Sequence, residues 1–246
     1  MAEPATAPPV PRVLLVAVAA VAALWLAALY AIAVLAQPDA VLGIVQKVFY
    51  VHVAAAFAML IALSAGSLAS LIDLVQPNDR IDAAARALLD TGVLFALAVL
   101  TTGPLWARKS WGVWWTWEPR LTLTLLLLLI AVGVLAVRQM APPGPAGRRV
   151  AAALATLAAP TAYLIHIAVQ RWGGTHPQVI QGGGIQSPGM RIAFWVTVAA
   201  MLGLAALITT LRYRVARLED TLAALRLDLS ARDLRGARTR DREAAT

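Results

Sequence analysis

Apolar stretches of about 20 residues recur along this chain, and they constrain its fold more than any other feature. Lipid cannot satisfy backbone amides, so a chain crosses a bilayer only as a helix or a closed barrel. Hydrophobic residues make up 60% of the 246 residues and charged residues only 14%, unlike a soluble domain. The pattern predicts an all-α integral membrane protein with about six transmembrane helices. The predicted spans are residues 13–36, 52–75, 87–105, 121–137, 150–169 and 192–211.

The basic residues predict the orientation of these spans, because Lys and Arg accumulate on the cytoplasmic side of a membrane. Nine of the 21 Lys and Arg residues lie between Arg212 and Arg242. We therefore expect residues 1–212 to form a transmembrane domain and 213–246 a basic, helical, cytoplasmic tail beside anionic lipid. The loops carry equal numbers of basic residues on the two sides, so the tail decides the prediction that both termini are cytoplasmic. The net charge of the whole chain is +8, and because nine of its basic residues lie in a tail beside a membrane it gives no reason to expect nucleic-acid binding.

The tail also carries a short heptad pattern. Two interpretations fit so few heptads: a helix that continues from the sixth span and packs on a neighbour, or a true coiled coil. The apolar residues recur at spacings of 3, 4, 3 and 4, at Val215, Leu218, Leu222, Leu225 and Leu229.

The sequence lacks the residues that several classes of chemistry require. There are no cysteines, which excludes thiol–disulfide chemistry, iron–sulfur clusters and thiolate ligation of haem by this chain. A phosphate-binding loop, a His-Glu-x-x-His zinc helix and a Gly-x-Ser-x-Gly elbow are also absent from the sequence. An ATPase, a zinc hydrolase and a serine hydrolase are therefore unsupported.

The three histidines are the main candidate ligands, because ionisable residues near a membrane cost free energy and are often functional. His52 falls at the outer end of the second span, and His176 falls in the loop before the sixth. These two can face one outer pocket, where neutral imidazoles suit the two axial positions of a haem iron. The alternative is that each is an interfacial histidine with a hydrogen-bonded ring, and we place His166, inside the fifth span, in that class.

The segment 106–120 is the most unusual part of the chain, with five of the eight tryptophans within twelve residues. Tryptophan also favours the headgroup level of any membrane, so an aromatic belt is one interpretation. The other is a platform for a planar acidic ligand. Trp111, Trp114 and Trp115 have the spacing of one face of a short helical turn, and the basic residues that could meet carboxylates are Arg108, Lys109 and Arg120.

Three motifs in order resemble one family. The string from Trp111 to Thr122 resembles the tryptophan-rich (WWD-type) signature of haem-handling proteins of cytochrome c assembly. Tyr50-Val-His52-Val resembles the first ligand motif of that superfamily, and the ten-residue gap from His166 to His176 matches the region that ends in the second. Length and span number resemble the cytochrome c maturation protein C (CcmC) family. Departures from the family pattern are Glu118 for the usual Asp, Pro119 for a small residue, and Pro177 after the second histidine.

The resemblance implies haem delivery rather than catalysis: haem b is held on the outer face of the bacterial inner membrane and presented to a periplasmic chaperone similar to CcmE. It also implies association with small membrane and ABC transporter subunits similar to CcmD, CcmB and CcmA. The implied axial ligands are His52 and His176. The other implied contacts are Trp111, Trp114, Trp115, Trp117, Glu118 and Arg120.

Two other functions compete with that interpretation. A membrane electron-transfer cytochrome of the b type usually needs two stacked haems and about four histidines, and this chain has three. A small-molecule transporter subunit without haem predicts repeated or broken helices, and no convincing repeat relates the two halves.

Overall fold

The computed structural model describes residues 11–39, 42–141, 144–176, 185 and 187–244, without the side chains of 233–244. Six segments are long and apolar enough to cross a membrane, and the described residues contain no strand. The prediction of an all-α membrane protein with about six spans is therefore confirmed. The helices are α1 (Arg12–Tyr30, followed by a π-helical turn, Ala31–Leu35), α2 (Val48–Val75, preceded by a 3-10 turn, Ile44–Lys47), α3 (Asp79–Trp111), α4 (Pro119–Met140), α5 (Pro145–Ala155), α6 (Ala158–Trp172) and α7 (Pro188–Ala244).

Helix α3 is longer than the predicted third span at both ends. Its N-terminus is capped by Asn78, whose side chain accepts hydrogen bonds from the backbone amides of Arg80 and Ile81. The polar residues that follow remain helical because they are paired across helices, as in the 2.8 Å contact between Asp82 and Arg138. Charge in this stretch therefore does not mark a loop.

Ion pairs join the helices at this end of the bundle. Arg148 at the start of α5 donates from Nε to Asp73 of α2 at 2.8 Å and from Nη1 to Asp79 of α3 at 2.6 Å. The side chain of Asp73 is only 2% exposed, so its charge depends on this partner. Arg86 of α3 pairs with Asp220 of α7 at 2.6 Å. The network holds α2, α3, α4, α5 and α7 together.

The predicted fifth span is two helices, α5 and α6, with a break at Thr156 and Leu157. Pro160 has no amide hydrogen and cannot donate to the Thr156 carbonyl four residues earlier. Ser67 of α2 replaces that donor at 3.0 Å and also accepts from the Ala159 amide at 3.1 Å. The Thr156 carbonyl and the Ala159 amide at the break are therefore both hydrogen-bonded to Ser67.

The segment after Trp111 is not helical, so the predicted helical turn through Trp111, Trp114 and Trp115 is wrong. Gly112 has φ of 75°, a left-handed conformation that ends α3 and that a residue with a Cβ rarely adopts. Residues 113–118 then cross to α4, which begins at Pro119. The tryptophans come together through this turn and not through helical spacing.

Helix α7 runs without interruption from the sixth span into the tail. Ala216 is buried, and Asp220 faces Arg86, so this side of the helix packs on the bundle. The heptad residues lie on the opposite side and are exposed. They are Val215, Leu218, Leu222, Leu225 and Leu229.

Candidate functional site

An apolar cavity of about 260 Å³ lies at the end of the bundle opposite the ion pairs. Its wall is formed by helices α2, α3, α4 and α6, the tryptophan-rich turn (residues 112–118) and the turn after α6. The polar or aromatic side chains in the wall are Phe49, His52, Phe57, Trp106, Trp111, Trp114, Trp115, Arg120, Thr124, His166, Gln170 and His176.

Six of the eight predicted site residues share this cavity. Both predicted ligands, three of the four tryptophans and Arg120 line it. Trp117 does not line it: its side chain is 75% exposed and contacts Trp115 edge to face at 5.7 Å. Glu118 does not line it either and lies behind His176, with its Oε1 atom 3.8 Å from the Nδ1 atom of that histidine.

His52 lies near the start of α2 and reaches into the cavity beside α3. Its Nδ1 atom is 2.9 Å from the Oγ1 atom of Thr102. The next residue, Gly103, packs against the ring, because a Cβ at that position would lie 3.2 Å from the Cε1 atom of His52. One ring nitrogen is therefore engaged by α3, and the ring has little freedom to turn.

His176 lies after the end of α6 and is presented by the turn that begins at Gly173. Its ring meets Trp111 edge to face at 6.1 Å, and its side chain is 25% exposed. Burial lowers the pKa of His176 to about 3, and the positive charge of Arg120 acts in the same direction. The imidazole is thus neutral near pH 7, which is the form that binds a metal.

The tryptophans are held by contacts among themselves and with the 3-10 turn that precedes α2. Trp106 and Trp111 meet edge to face at 5.6 Å, and the indole nitrogen of Trp106 donates to Gln46 at 3.4 Å. Trp115 faces the cavity, whereas the side chain of Trp114 lines it and is still 56% exposed. The aromatic surface therefore extends from the cavity to the outside of the protein.

Arg120 brings positive charge to the wall. It lies in the first turn of α4, and its Nη2 atom donates to the backbone carbonyl of His166 at 3.3 Å. Its Nε atom is buried and has no hydrogen-bond partner among the described residues. A buried donor without a partner costs about 1–3 kcal/mol, so a carboxylate placed there would be stabilised.

The sequence did not predict every residue of the wall. His166 lines the cavity although its sequence position suggested an interfacial histidine. Thr102 and Gly103 were missed, yet a Thr-Thr-Gly-Pro run inside an apolar span is a signal that could have identified them. The contact of Glu118 with the histidine turn depends on residues 57 positions apart and had no local signal.

The donor set restricts what the site can bind. Among the described residues, no group of three His, Cys, Asp or Glu side chains could hold a metal ion alone. Two imidazoles fit an iron whose remaining ligands come from a planar macrocycle. The apolar wall, the aromatic rings and the unpaired Arg120 donor fit the ring and a carboxylate of haem.

Comparison with known proteins agrees with the motifs. The family model described as Heme exporter protein C matches residues 1–228. A relative named Heme exporter protein C from Bradyrhizobium diazoefficiens is 33% identical over 152 residues, which are 61% of this chain and 58% of that protein, less than two thirds of its length. Relatives of the same name from Escherichia coli K12 and Paracoccus denitrificans are each 29% identical, over 68% and 74% of this chain and 69% and 78% of theirs. The chain belongs to the Heme exporter protein C (CcmC) family.

Proposed function

We propose that this chain binds haem b between His52 and His176 and presents it to an acceptor outside the membrane. The acceptor is a periplasmic haem chaperone similar to CcmE, and the covalent bond to haem is made on that chaperone. The chain is thus a delivery protein and not an enzyme. Its own residues hold the iron, seat the ring and pair with a propionate.

One observation carries the proposal: His52 and His176, from separate segments, line one apolar, aromatic cavity. His52 belongs to α2 and His176 to the turn after α6, so each would supply one imidazole to an iron bound in the cavity. Iron in haem accepts two axial nitrogen ligands and takes its other four from the macrocycle. A lone interfacial histidine would not need a second one in the same cavity.

Arg120 is the proposed partner of a propionate. Its buried Nε atom has no hydrogen-bond partner among the described residues, and the side chain lines the cavity. A guanidinium pairs with a carboxylate through charge-assisted hydrogen bonds, which are about twice as strong as neutral ones. The pairing would orient the ring as well as hold it.

The exposed tryptophans are the proposed docking surface for the chaperone. Trp114 is 56% exposed and lines the cavity, and Trp117 is 75% exposed beside it. Large aromatic side chains at a protein surface are typical of binding hot spots. A partner that covers them would lie next to the haem edge that it receives.

The family membership supports a setting for this activity. We propose the bacterial inner membrane, with cytoplasmic termini and the cavity on the periplasmic side, next to membrane lipid. Subunits similar to CcmD, CcmB and CcmA complete the complex. The sequence holds no phosphate-binding loop, so an ABC transporter partner would supply any ATP hydrolysis.

The experiment separates binding from delivery. Trp114→Ala removes an aromatic contact worth about 0.5–1.5 kcal/mol beyond area burial, so bound haem should fall modestly. Covalent haem on a CcmE-type chaperone in the same cells should fall much further. Trp195→Ala is the control, since Trp195 is also 56% exposed and lies outside the cavity wall. Equal proportional losses of bound and transferred haem would contradict the docking role.

A further inference from the structure

Thr102 fixes the hydrogen position on His52. A threonine hydroxyl has one hydrogen, and the Oγ1 atom of Thr102 donates it to the backbone carbonyl of Ala98 at 2.6 Å. The same oxygen lies 2.9 Å from the Nδ1 atom of His52. With its hydrogen already used, the hydroxyl can only accept there. The Nδ1 atom of His52 therefore carries the ring hydrogen, and the lone pair is on Nε2.

Glu118 stands in the corresponding place behind His176. Its Oε1 atom and the Nδ1 atom of His176 are both buried, and neither has a hydrogen-bond partner among the described residues. The two atoms are 3.8 Å apart, so a small closure forms a hydrogen bond and satisfies both. The side chain of Glu118 is 8% exposed, which makes an unpaired carboxylate oxygen costly.

The other oxygen of Glu118 anchors the turn that carries His176. Oε2 accepts from the backbone amide of Thr175 at 2.6 Å and from its hydroxyl at 3.0 Å. Gly174 leaves room for this oxygen, because a Cβ there would lie only 2.7 Å away. One carboxylate thus holds the turn in place and faces the histidine ring.

Resting on the proposed function, we propose that Thr102 and Glu118 are positioning residues that hold His52 and His176 with the hydrogen on Nδ1 and the Nε2 lone pair free for iron. A ligating histidine commonly donates its second ring N–H to such a partner, which fixes the ring and makes it a better donor. The two partners differ in charge. A carboxylate that accepts the ring N–H raises the electron density of the imidazole more than a hydroxyl does. His176 is therefore the stronger electron donor to iron of the two histidines.

The test uses the full-length purified chain loaded with haemin. Thr102→Val and Glu118→Gln remove the hydroxyl and the negative charge with little change in shape. Thr102→Ser restores the hydroxyl and Glu118→Asp restores a carboxylate. Thr101→Val is the matched control, because Thr101 is the adjacent threonine, is exposed and bonds only to carbonyls of its own helix.

Loss of a partner behind a metal ligand typically weakens binding by about 10–100-fold. We expect haem affinity to fall about tenfold in Thr102→Val and further in Glu118→Gln. The loss should be greater for ferric than for ferrous haem, because electron-rich imidazoles favour Fe(III). A tenfold selective loss raises the midpoint potential by about 59 mV. Thr102→Ser should restore the wild-type potential, a result that a merely structural role would not produce.

Two results are decisive against the proposal. In the first, the wild type shows a six-coordinate spectrum, but Thr102→Val and Glu118→Gln have the same haem affinity and midpoint potential as the control Thr101→Val. The positioning roles are then overturned, and the proposed function stands. If the wild type lacks that spectrum, the proposed function and the positioning roles fall together. If Glu118→Gln reduces the yield of folded chain, the variants Glu118→Asp, Thr102→Val and Thr102→Ser still decide the outcome.

Discussion

Replacement of Gly174 by Ala should displace His176 through Glu118. Gly174 has φ of 141°, and a Cβ there would lie 2.7 Å from Oε2 and 3.2 Å from Cδ of Glu118. The preceding Gly173 also has positive φ, 73°, but a Cβ on it would meet nothing within 4 Å. The pair Gly174→Ala and Gly173→Ala therefore share backbone strain, and only the first collides with the carboxylate.

The contacts give the size of the effect. Each substitution carries a backbone strain of about 1–3 kcal/mol, which largely cancels between the two variants. The collision in Gly174→Ala breaks the 2.6 Å hydrogen bond from the Thr175 amide to Glu118. A hydrogen bond to a charged group contributes about 1.5–3 kcal/mol, or roughly 10- to 150-fold in an equilibrium constant. Haem affinity should be lower in Gly174→Ala than in Gly173→Ala by about that factor.

The assay is a titration of haem into the detergent-solubilised protein, followed at the Soret band, with both variants and the wild type in parallel. Comparable amounts of folded protein are confirmed by gel filtration. Equal haem affinities in the two variants would refute the reasoning that the Glu118 contact positions His176.

Three further results are expected. Cysteines introduced at Gly112 and Gly144 should differ on intact cells, with only the first labelled by an impermeant thiol reagent; the reverse would invert the proposed orientation. Because the pKa of His176 is lowered to about 3, its ring stays neutral and the haem spectrum should be constant from about pH 8 to about pH 5; loss of the low-spin bands near the ordinary imidazole pKa of about 6.5 would contradict this. Arg148→Leu leaves the 2%-exposed Asp73 without its main partner and should destabilise the protein by about 3–5 kcal/mol in thermal unfolding; an unchanged midpoint would show that the ion pair contributes nothing.

The sequence predicted those features of the fold that a single physical effect determines. Transfer of apolar side chains into lipid fixes which segments span, so the number of spans followed directly from the sequence. The placement of His52 and His176 at one end of the bundle also followed, because the outer end of the second span and the loop between the fifth and sixth spans lie on the same side of the membrane in a six-span chain. Helix ends were harder to predict: Asp82 and Arg138 keep a polar stretch helical by pairing across the bundle. Such pairing is invisible to a count of charges.

The site itself was predicted in outline and not in detail. The spacing of the tryptophans suggested a helical face, but Gly112 ends the helix and the rings meet through a turn. Pro160 could have indicated the break in the fifth span, whereas Ser67, which satisfies it, lies on another helix. The roles of Thr102 and Glu118 depend on contacts between distant parts of the chain. Patterns in the local sequence do not indicate such contacts.

The most direct test of the account is the absorbance and EPR spectrum of the purified protein after haem-replete expression. The wild type should show a Soret band and a low-spin, six-coordinate iron. His52→Ala or His176→Ala should lose haem or convert it to the high-spin form, while His166→Ala, at a histidine that also lines the cavity, should leave the spectrum intact. A wild type without a Soret band, or a greater loss in His166→Ala than in the other two, would contradict the assignment of His52 and His176 as the ligands.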